Sequence, residues 1–201
     1  RTFIHQKGIS CINHNNNETR LVIGSVDKLI SVVDIVSNLI VYKLSGHKEK
    51  INNIKFYDDN EQFIFSISDD FSFKIWDTNI QKCIYTYSDT ANKLTSFLNI
   101  GSTLLFGTFT KEINIFYINL DSYINNDIET KLSDNNKNEK ILMNKGTLKK
   151  QSNNKTISFY SNDEVFIVLS NDSSIELFKI FSKKELKARL MKYYMHNKKM
   201  N

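Results

Sequence analysis

Gly46-His47, then Ile51-Asn52-Asn53-Ile54-Lys55-Phe56, then Phe63-Ile64-Phe65-Ser66-Ile67-Ser68-Asp69-Asp70, then Phe73-Lys74-Ile75-Trp76-Asp77 is the stretch that decides the fold. Residues 51–56, 63–67 and 71–76 are apolar, β-branched or aromatic runs of strand length. Asp58-Asp59-Asn60 and Asp69-Asp70 separate them. Asp and Asn favour turns there, because their short side chains bond the local backbone. The spacing predicts a compact antiparallel meander rather than helices.

With Trp76 as a ruler, the same rhythm recurs along the chain. Leu21-Val22-Ile23-Gly24-Ser25-Val26-Asp27 and Leu29-Ile30-Ser31-Val32-Val33-Asp34 place Val33 at the Trp position of an earlier unit. Leu104-Leu105-Phe106-Gly107-Thr108 and Ile113-Asn114-Ile115-Phe116 place Phe116 there in a later one, and Phe166 to Asp172 with Ile175-Glu176-Leu177-Phe178 place Phe178 in a fourth. The first two intervals are about 40 residues, the period of a four-stranded propeller blade, and the last is about 20 residues longer.

The Gly46–Asp77 stretch resembles one complete WD repeat. In that family four residues form a hydrogen-bonded network, and the matching positions here are His47, Ser66, Asp70 and Trp76. The resemblance implies that Asp70 accepts from the imidazole, the imidazole meets the Ser66 hydroxyl, and the Trp76 indole N–H closes the set. Buried polar groups must be paired, so such a network selects one packing of the blade. His, Ser and Asp are also the residue types of a hydrolase triad, but Trp76 has no role in one. The other units are degenerate. The first keeps His5 and Asp27 but has Ile23 and Val33 at the Ser and Trp positions; the third has Phe106 for Ser and Thr110 for Asp; the fourth keeps Asp172 alone. Paired apolar replacements are nearly neutral, so core packing can substitute for the network.

The expected fold is therefore an all-β WD-repeat propeller of about four blades, at 3–44, 45–87, 88–120 and 146–181, with a polar insertion at 121–145. An open arc of blades exposes strand edges, so the four are expected to be the C-terminal part of a seven-bladed ring. Arg1-Thr2-Phe3 is then expected to end the preceding blade's outer strand, and the chain, which begins at Arg1, is expected to be a piece of a longer one. The insertion carries Asn125-Asn126-Asp127 and Ser133 to Lys140. It is polar and without period, and is read as a disordered loop.

Composition agrees with a globular domain. The 201 residues are 40% hydrophobic and 24% charged, with no proline and only six glycines. Asn and Asp are expected to take the turn positions that Gly and Pro usually fill. Cys11 and Cys83 both lie in apolar runs and read as small core residues in a reducing compartment. The chain has no CxxC pair, and its four histidines are scattered, so a zinc site is not expected. No apolar run reaches transmembrane length. No glycine-rich phosphate loop or unassigned nucleophile–base pair supports an enzyme. Accordingly, no catalytic residue, metal, cofactor, membrane or small-molecule substrate is predicted.

After Ile180 the period shifts. Ser182-Lys183-Lys184-Glu185 has the form of a capping box, and Leu186, Leu190, Tyr193 and Tyr194 share one helical face. A short basic α-helix is expected over 182–201. Its Lys183, Lys184, Lys187, Arg189 and Lys192 are candidate contacts to RNA phosphates or an acidic partner, or the solvated face of a linker helix.

Three segments carry a narrower resemblance: Gly146-Thr147-Leu148-Lys149-Lys150-Gln151-Ser152, Thr156-Ile157-Ser158-Phe159, and Asn171 to Ile180 running into Ser182-Lys183-Lys184-Glu185-Leu186. With Lys82-Cys83-Ile84-Tyr85-Thr86, they resemble the C-terminal propeller of the family of WD-repeat-containing protein 3, or U3 small nucleolar RNA-associated protein 12. That resemblance implies a non-catalytic scaffold of the small-subunit processome, in a UtpB-type complex with other WD-repeat subunits. It further implies action with U3 small nucleolar RNA and pre-ribosomal RNA, in ribosome biogenesis in the nucleolus. A propeller serves equally as a ubiquitin-ligase substrate receptor or a trafficking coat subunit, and those readings stay open.

Overall fold

The computed structural model describes residues 5–57, 60–120, 123, 141–161, 165–182 and 187–195. It is all-β: four sheets, each of four antiparallel strands in chain order. The first holds β1 (Ile9–His14), β2 (Arg20–Ser25), β3 (Ile30–Asp34) and β4 (Leu39–Leu44), and the second β5 (Ile51–Tyr57), β6 (Asn60–Ser68), β7 (Ser72–Asp77) and β8 (Lys82–Ser88). The third holds β9 (Leu94–Ile100), β10 (Thr103–Thr108), β11 (Glu112–Ile118) and β12 (Leu142–Lys149). The fourth holds β13 (Thr156–Ser161), β14 (Val165–Ser170), β15 (Ser174–Ser182) and β16 (Lys187–Met195). Each sheet is a β-propeller blade, and the fold class is the one the repeat predicts. The chain divides into two compact units, Arg1–Ser96 and Phe97–Asn201.

Burial explains the strand types. The inner strands of a blade are buried on both faces, as in β10, where all six residues are buried. That is why Phe63 to Ile67 reads as a nearly continuous apolar run rather than an alternation. Outer strands alternate instead: β4 exposes Leu39, Val41 and Lys43 and covers the residues between. In the first unit Val22, Ile30, Val32, Ile51, Ile54, Phe56, Ile64 and Trp76 form one core cluster. In the second unit Leu105, Ile113, Ile115, Phe166, Val168 and Phe178 form another, with Phe166 and Phe178 stacked at 4.8 Å between centroids.

The ruler residue marks the same backbone event in every blade. The pairing of third and fourth strands shifts register at Val32/Val33, Ile75/Trp76, Ile115/Phe116 and Leu177/Phe178. Each shift is a β-bulge, one extra residue in the outer strand, which raises the local twist.

The structure departs from two expectations. Residues Leu142–Lys149 pair with β11, Ile118 opposite Leu142 and Glu112 opposite Lys149. They are the outer strand of the third blade and not the start of the fourth, so the polar insertion falls inside the third blade, between β11 and β12. Most of it, 121–122 and 124–140, lies outside the described residues, as do Arg1 to Phe3. The expected helix over 182–201 is also replaced. Lys187–Met195 is a strand, antiparallel to β15 from Ser182↔Lys187 to Ser174↔Met195. The physical reason is the unpaired outer edge of β15, which the fourth strand satisfies with a full ladder, as in the other three blades. Lys183, Lys184 and the capping-box Glu185 lie outside the described residues.

In the turns, aspartates bond the local backbone as expected, their carboxylates accepting N–H groups from Ser37 at Asp34, Asn79 at Asp77 and Ala91 at Asp89. The left-handed positions are not reserved for Asn, since Glu18, Lys28, Phe71, Gln81 and Ser173 take that conformation as well as Asn38.

Gly24, in β2, supports one close approach. A Cβ there would lie 2.6 Å from Cys11 Sγ and 2.7 Å from Ile51 Cγ2. Gly24→Ala should cost about 1–3 kcal/mol in urea unfolding through overpacking. Adding Cys11→Ala should recover only part of it, because the Ile51 contact remains.

Candidate functional site

The structure brings His47, Ser66, Asp70 and Trp76 together in the second blade. His47 sits between β4 and β5, Ser66 lies on β6, Asp70 in the β6–β7 turn and Trp76 on β7. Trp76 Nε1–H donates to Ser66 Oγ at 2.8 Å, His47 Nε2 lies 2.7 Å from the same oxygen, and His47 Nδ1 lies 2.9 Å from Asp70 Oδ2. One proton arrangement satisfies all of these. Trp76 donates to Ser66, the Ser66 hydroxyl donates to Nε2, and Nδ1–H donates to the carboxylate, with the imidazole neutral. The Trp76 ring meets the imidazole edge-on at 5.8 Å.

Burial enforces that state. Ser66 is fully buried, Trp76 is 1% exposed and the His47 side chain is wholly enclosed. Burial pulls the His47 pKa below its ordinary value, against the pull of Asp70 the other way. For Asp70, burial alone would push the carboxyl up. Four donors reverse it and hold it at about 2: Ser72 Oγ–H, the backbone N–H groups of Ser72 and Lys48, and His47.

The Asp-centred turn extends beyond the four predicted residues. Asp70 N–H donates to Ser68 Oγ, which donates to Glu49 O. The first blade repeats the scheme: Asp27 N–H to Ser25 Oγ, Ser25 Oγ to Gly8 O, and Gln6 N–H, Leu29 N–H and His5 Nδ1 to the Asp27 carboxylate. Sequence reading misses Ser25, Ser68 and Ser72. The recurring Ser-x-Asp at Ser25-Val26-Asp27, Ser68-Asp69-Asp70 and Ser170-Asn171-Asp172 is the signal that could reveal the first two.

The degenerate blades show what each loss does. In the first, the His5 side chain is 2% exposed, and with Ile23 at the Ser position its Nε2 finds no partner among the described residues. In the third, Thr110 replaces the aspartate: Glu112 N–H donates to Thr110 Oγ1, and Thr108 Oγ1 to Glu112 O. In the fourth, Ser152 Oγ–H takes the imidazole's place on Asp172 at 2.9 Å. Fully buried Glu176 there accepts Gln151 N–H and Ser152 N–H at 2.8 and 2.9 Å. Buried Lys150 donates to Asn154 O and Thr156 Oγ1, and burial lowers its pKa.

This arrangement does not fit acyl transfer. The Ser66 oxygen is sealed from solvent and already bonded by Trp76 and His47, so no substrate carbon can reach it. Burial drives the Cys11 thiol up to about 11, which makes it inert. Among the described residues no group of three or more His, Cys, Asp or Glu could hold a metal ion. No helix among them is long and apolar enough to cross a membrane. Of the basic candidates, Lys187, Arg189 and Lys192 lie on β16, the edge strand of its sheet, far in sequence from the His47 network.

Two outcomes follow from the network. Trp76→Phe keeps an aromatic ring but removes the N–H, and should lower stability by about 1–3 kcal/mol in chemical denaturation. Stability should also fall in two phases on acidification. His47, depressed in the folded chain, takes a proton more readily when unfolded, so stability present above about pH 6.5 is lost as pH falls below it. Asp70 adds a second loss from about pH 4 toward 2. His47→Gln, which cannot titrate, should remove the upper phase in thermal melts across pH.

Comparison with known proteins agrees with the blade geometry. Residues 1–34 and 38–77 match the family described as WD domain, G-beta repeat. The chain is similar to a guanine nucleotide-binding protein subunit beta-like protein of Encephalitozoon cuniculi, 31% identical over 88 residues, 41% of this chain and 26% of that protein. It is also similar to the WD repeat-containing protein 89 homolog of Dictyostelium discoideum, 38% identical over 79 residues, 39% of this chain and 21% of the relative. Pre-mRNA-processing factor 17 of Homo sapiens is 36% identical over 81 residues, 39% of this chain and 14% of the relative. The chain thus spans about a quarter or less of these relatives. Residues 1–34 and 38–77 thus match WD repeats, and the strand order of all four sheets is that of β-propeller blades.

Proposed function

We propose that this protein is a non-catalytic interaction scaffold. The observation that carries the reading is the closed His47–Ser66–Asp70–Trp76 set: the triad-like constellation spends its polar atoms on holding the blade. What remains for function is surface, which is how β-propeller blades act.

The narrower reading is a subunit of an RNA-processing assembly. It would be the small-subunit processome, with other WD-repeat subunits of a UtpB-type complex, U3 small nucleolar RNA and pre-ribosomal RNA, in the nucleolus. Its support is the resemblance at Gly146–Ser152 and Asn171–Ile180 and the similarity to a protein named for pre-mRNA processing. The basic helix no longer contributes. Its charges do, because Lys187, Arg189 and Lys192 share one edge strand, and phosphate attraction depends on charge rather than on helicity. Lys183 and Lys184 are proposed as part of the same interface.

Gentle purification of the tagged full-length protein from its own cells tests this. Recovery of U3 RNA, pre-ribosomal RNA and other propeller subunits is expected. Recovery of a cullin or a coat complex, without RNA, would replace the narrower reading with a ubiquitin-ligase receptor or a trafficking scaffold. If RNA is touched directly, replacing Lys187, Arg189 and Lys192 with Gln should weaken binding. Its salt dependence should flatten by about one unit of slope for each phosphate-binding cation removed.

A further inference from the structure

Strand register fixes which residues of a blade face the next one. In the first blade Val22 pairs with Val32 and Gly24 with Ile30. Val22, Ile30 and Val32 share one core with Ile54, Ile64 and Trp76 of the second blade. The third blade uses the same positions: Leu105 pairs with Ile115 and Gly107 with Ile113. Leu105, Ile113 and Ile115 share a core with Phe159, Phe166, Val168 and Phe178 of the fourth. One side of a blade is thus an exit face, which receives the entry face of its successor.

Every blade keeps its exit positions apolar. Phe65, Phe73 and Ile75 hold them in the second, and Ile167, Ile175 and Leu177 in the fourth. In the first three blades these residues are 8% exposed or less. In the fourth, Ile175 is 38% exposed and Ile167 and Leu177 are only half-buried. Tyr160, paired with Ile167, extends the same face and is 63% exposed. A sheet face that ends a fold against water carries polar residues there. A face that stays apolar, open in one blade and covered at the equivalent positions of three others, is an interaction surface.

The cover that such a face takes within this chain is an entry face, and the chain has one that is open. The first blade's entry positions are Ile12, Ile23 and Val33, equivalent by register to Ile54, Ser66 and Trp76. Ile23 and Val33 are buried, but Ile12, on β1, is 58% exposed, where Ile54 is 1% and Phe159 8% exposed. An unfilled exit face and an open entry position therefore sit on the first and last blades of the same chain.

We propose that a second copy of this chain covers the fourth blade, the entry side of its first blade packing, at Ile12, on Tyr160, Ile167 and Ile175. The contact repeats between copies what Ile54 does within one, where it lies in a core with Val22 and Ile30. It is heterologous, each copy offering a different face, and it closes into a dimer when both copies use both faces.

The test is the mass of the full-length protein in solution, by sedimentation equilibrium over a range of micromolar concentrations. A dimer is expected. Ile175→Glu on the exit face and Ile12→Glu on the entry face should each weaken association at least about tenfold, because each puts an unpaired carboxylate into the contact. Both residues are exposed in the single chain, so unchanged melting temperatures at monomeric dilution show that the variants fold. The two variants should pair with each other more tightly than either pairs with itself, since one keeps the native first blade and the other the native fourth. A monomeric native protein would overturn the pairing and leave the face to another part of its own polypeptide or to a different protein. Association that survives both substitutions, or variants that do not prefer each other, would overturn it as well.

Discussion

The carboxylate in the turn between the second and third strands is the constraint on which each complete blade depends. Asp70 collects the Ser72 N–H, the Lys48 N–H and the His47 imidazole. It thereby ties the strand hairpin to the segment that enters the blade. Its charge is sustained by those donors and the Ser72 hydroxyl, since burial works against it. A hydrogen bond to an ion is stronger than one between neutral groups, so one residue fixes a turn, an entry segment and a tautomer. Through His47 the constraint reaches Ser66 and then Trp76, whose ring lies in the core that joins the first two blades.

Much of this is legible in the sequence because strand runs, turn residues and the ruler position repeat. The four network residues are placed by the resemblance of Gly46–Asp77 to a WD repeat and not by this chain's own repeats, which are degenerate at those positions; a polar residue inside an apolar run signals only that a partner is needed. Ser72 and Ser68 are harder to see because serine beside aspartate is common in turns. Only the comparison between blades, Ser25 with Ser68, turns a common residue into a position.

The misread tail has a specific cause. In β16 the extra residue of the bulge falls between Leu190, opposite Phe178, and Lys192, opposite Leu177. Tyr193 stands opposite Glu176, two residues from Phe178 along β15. Leu190 and Tyr193 are therefore three apart in their own strand but two apart in register. A bulge converts the two-residue period of a strand into the three-residue spacing of a helix. The same shift occurs where Cys83 faces Trp76 and Tyr85 faces Ile75, but there the short turn before the strand reveals a hairpin. At the tail, the capping-box pattern and the density of lysine conceal it.

The first blade shows why partial loss of a polar network persists. Replacing both partners of a buried bond by apolar groups is nearly neutral, whereas removing one leaves the other unsatisfied at a cost of about 1–3 kcal/mol. The third and fourth blades do without the imidazole altogether, with Phe106 and Phe116 packed edge-on in one and Phe166 against Phe178 in the other. The first keeps His5 beside Ile23 and Val33 at the serine and tryptophan positions, and so carries an unpartnered Nε2 among the described residues. His5 nevertheless still donates to Asp27, which also holds the Gln6 and Leu29 N–H groups. Deleting His5 would relieve one orphaned nitrogen and remove one of the donors that keep an enclosed carboxylate ionised. The turn carboxylate, more than the indole, is thus what three blades of this chain share, and where it is absent, at Thr110, a hydroxyl takes up one of the same backbone groups, the Glu112 N–H.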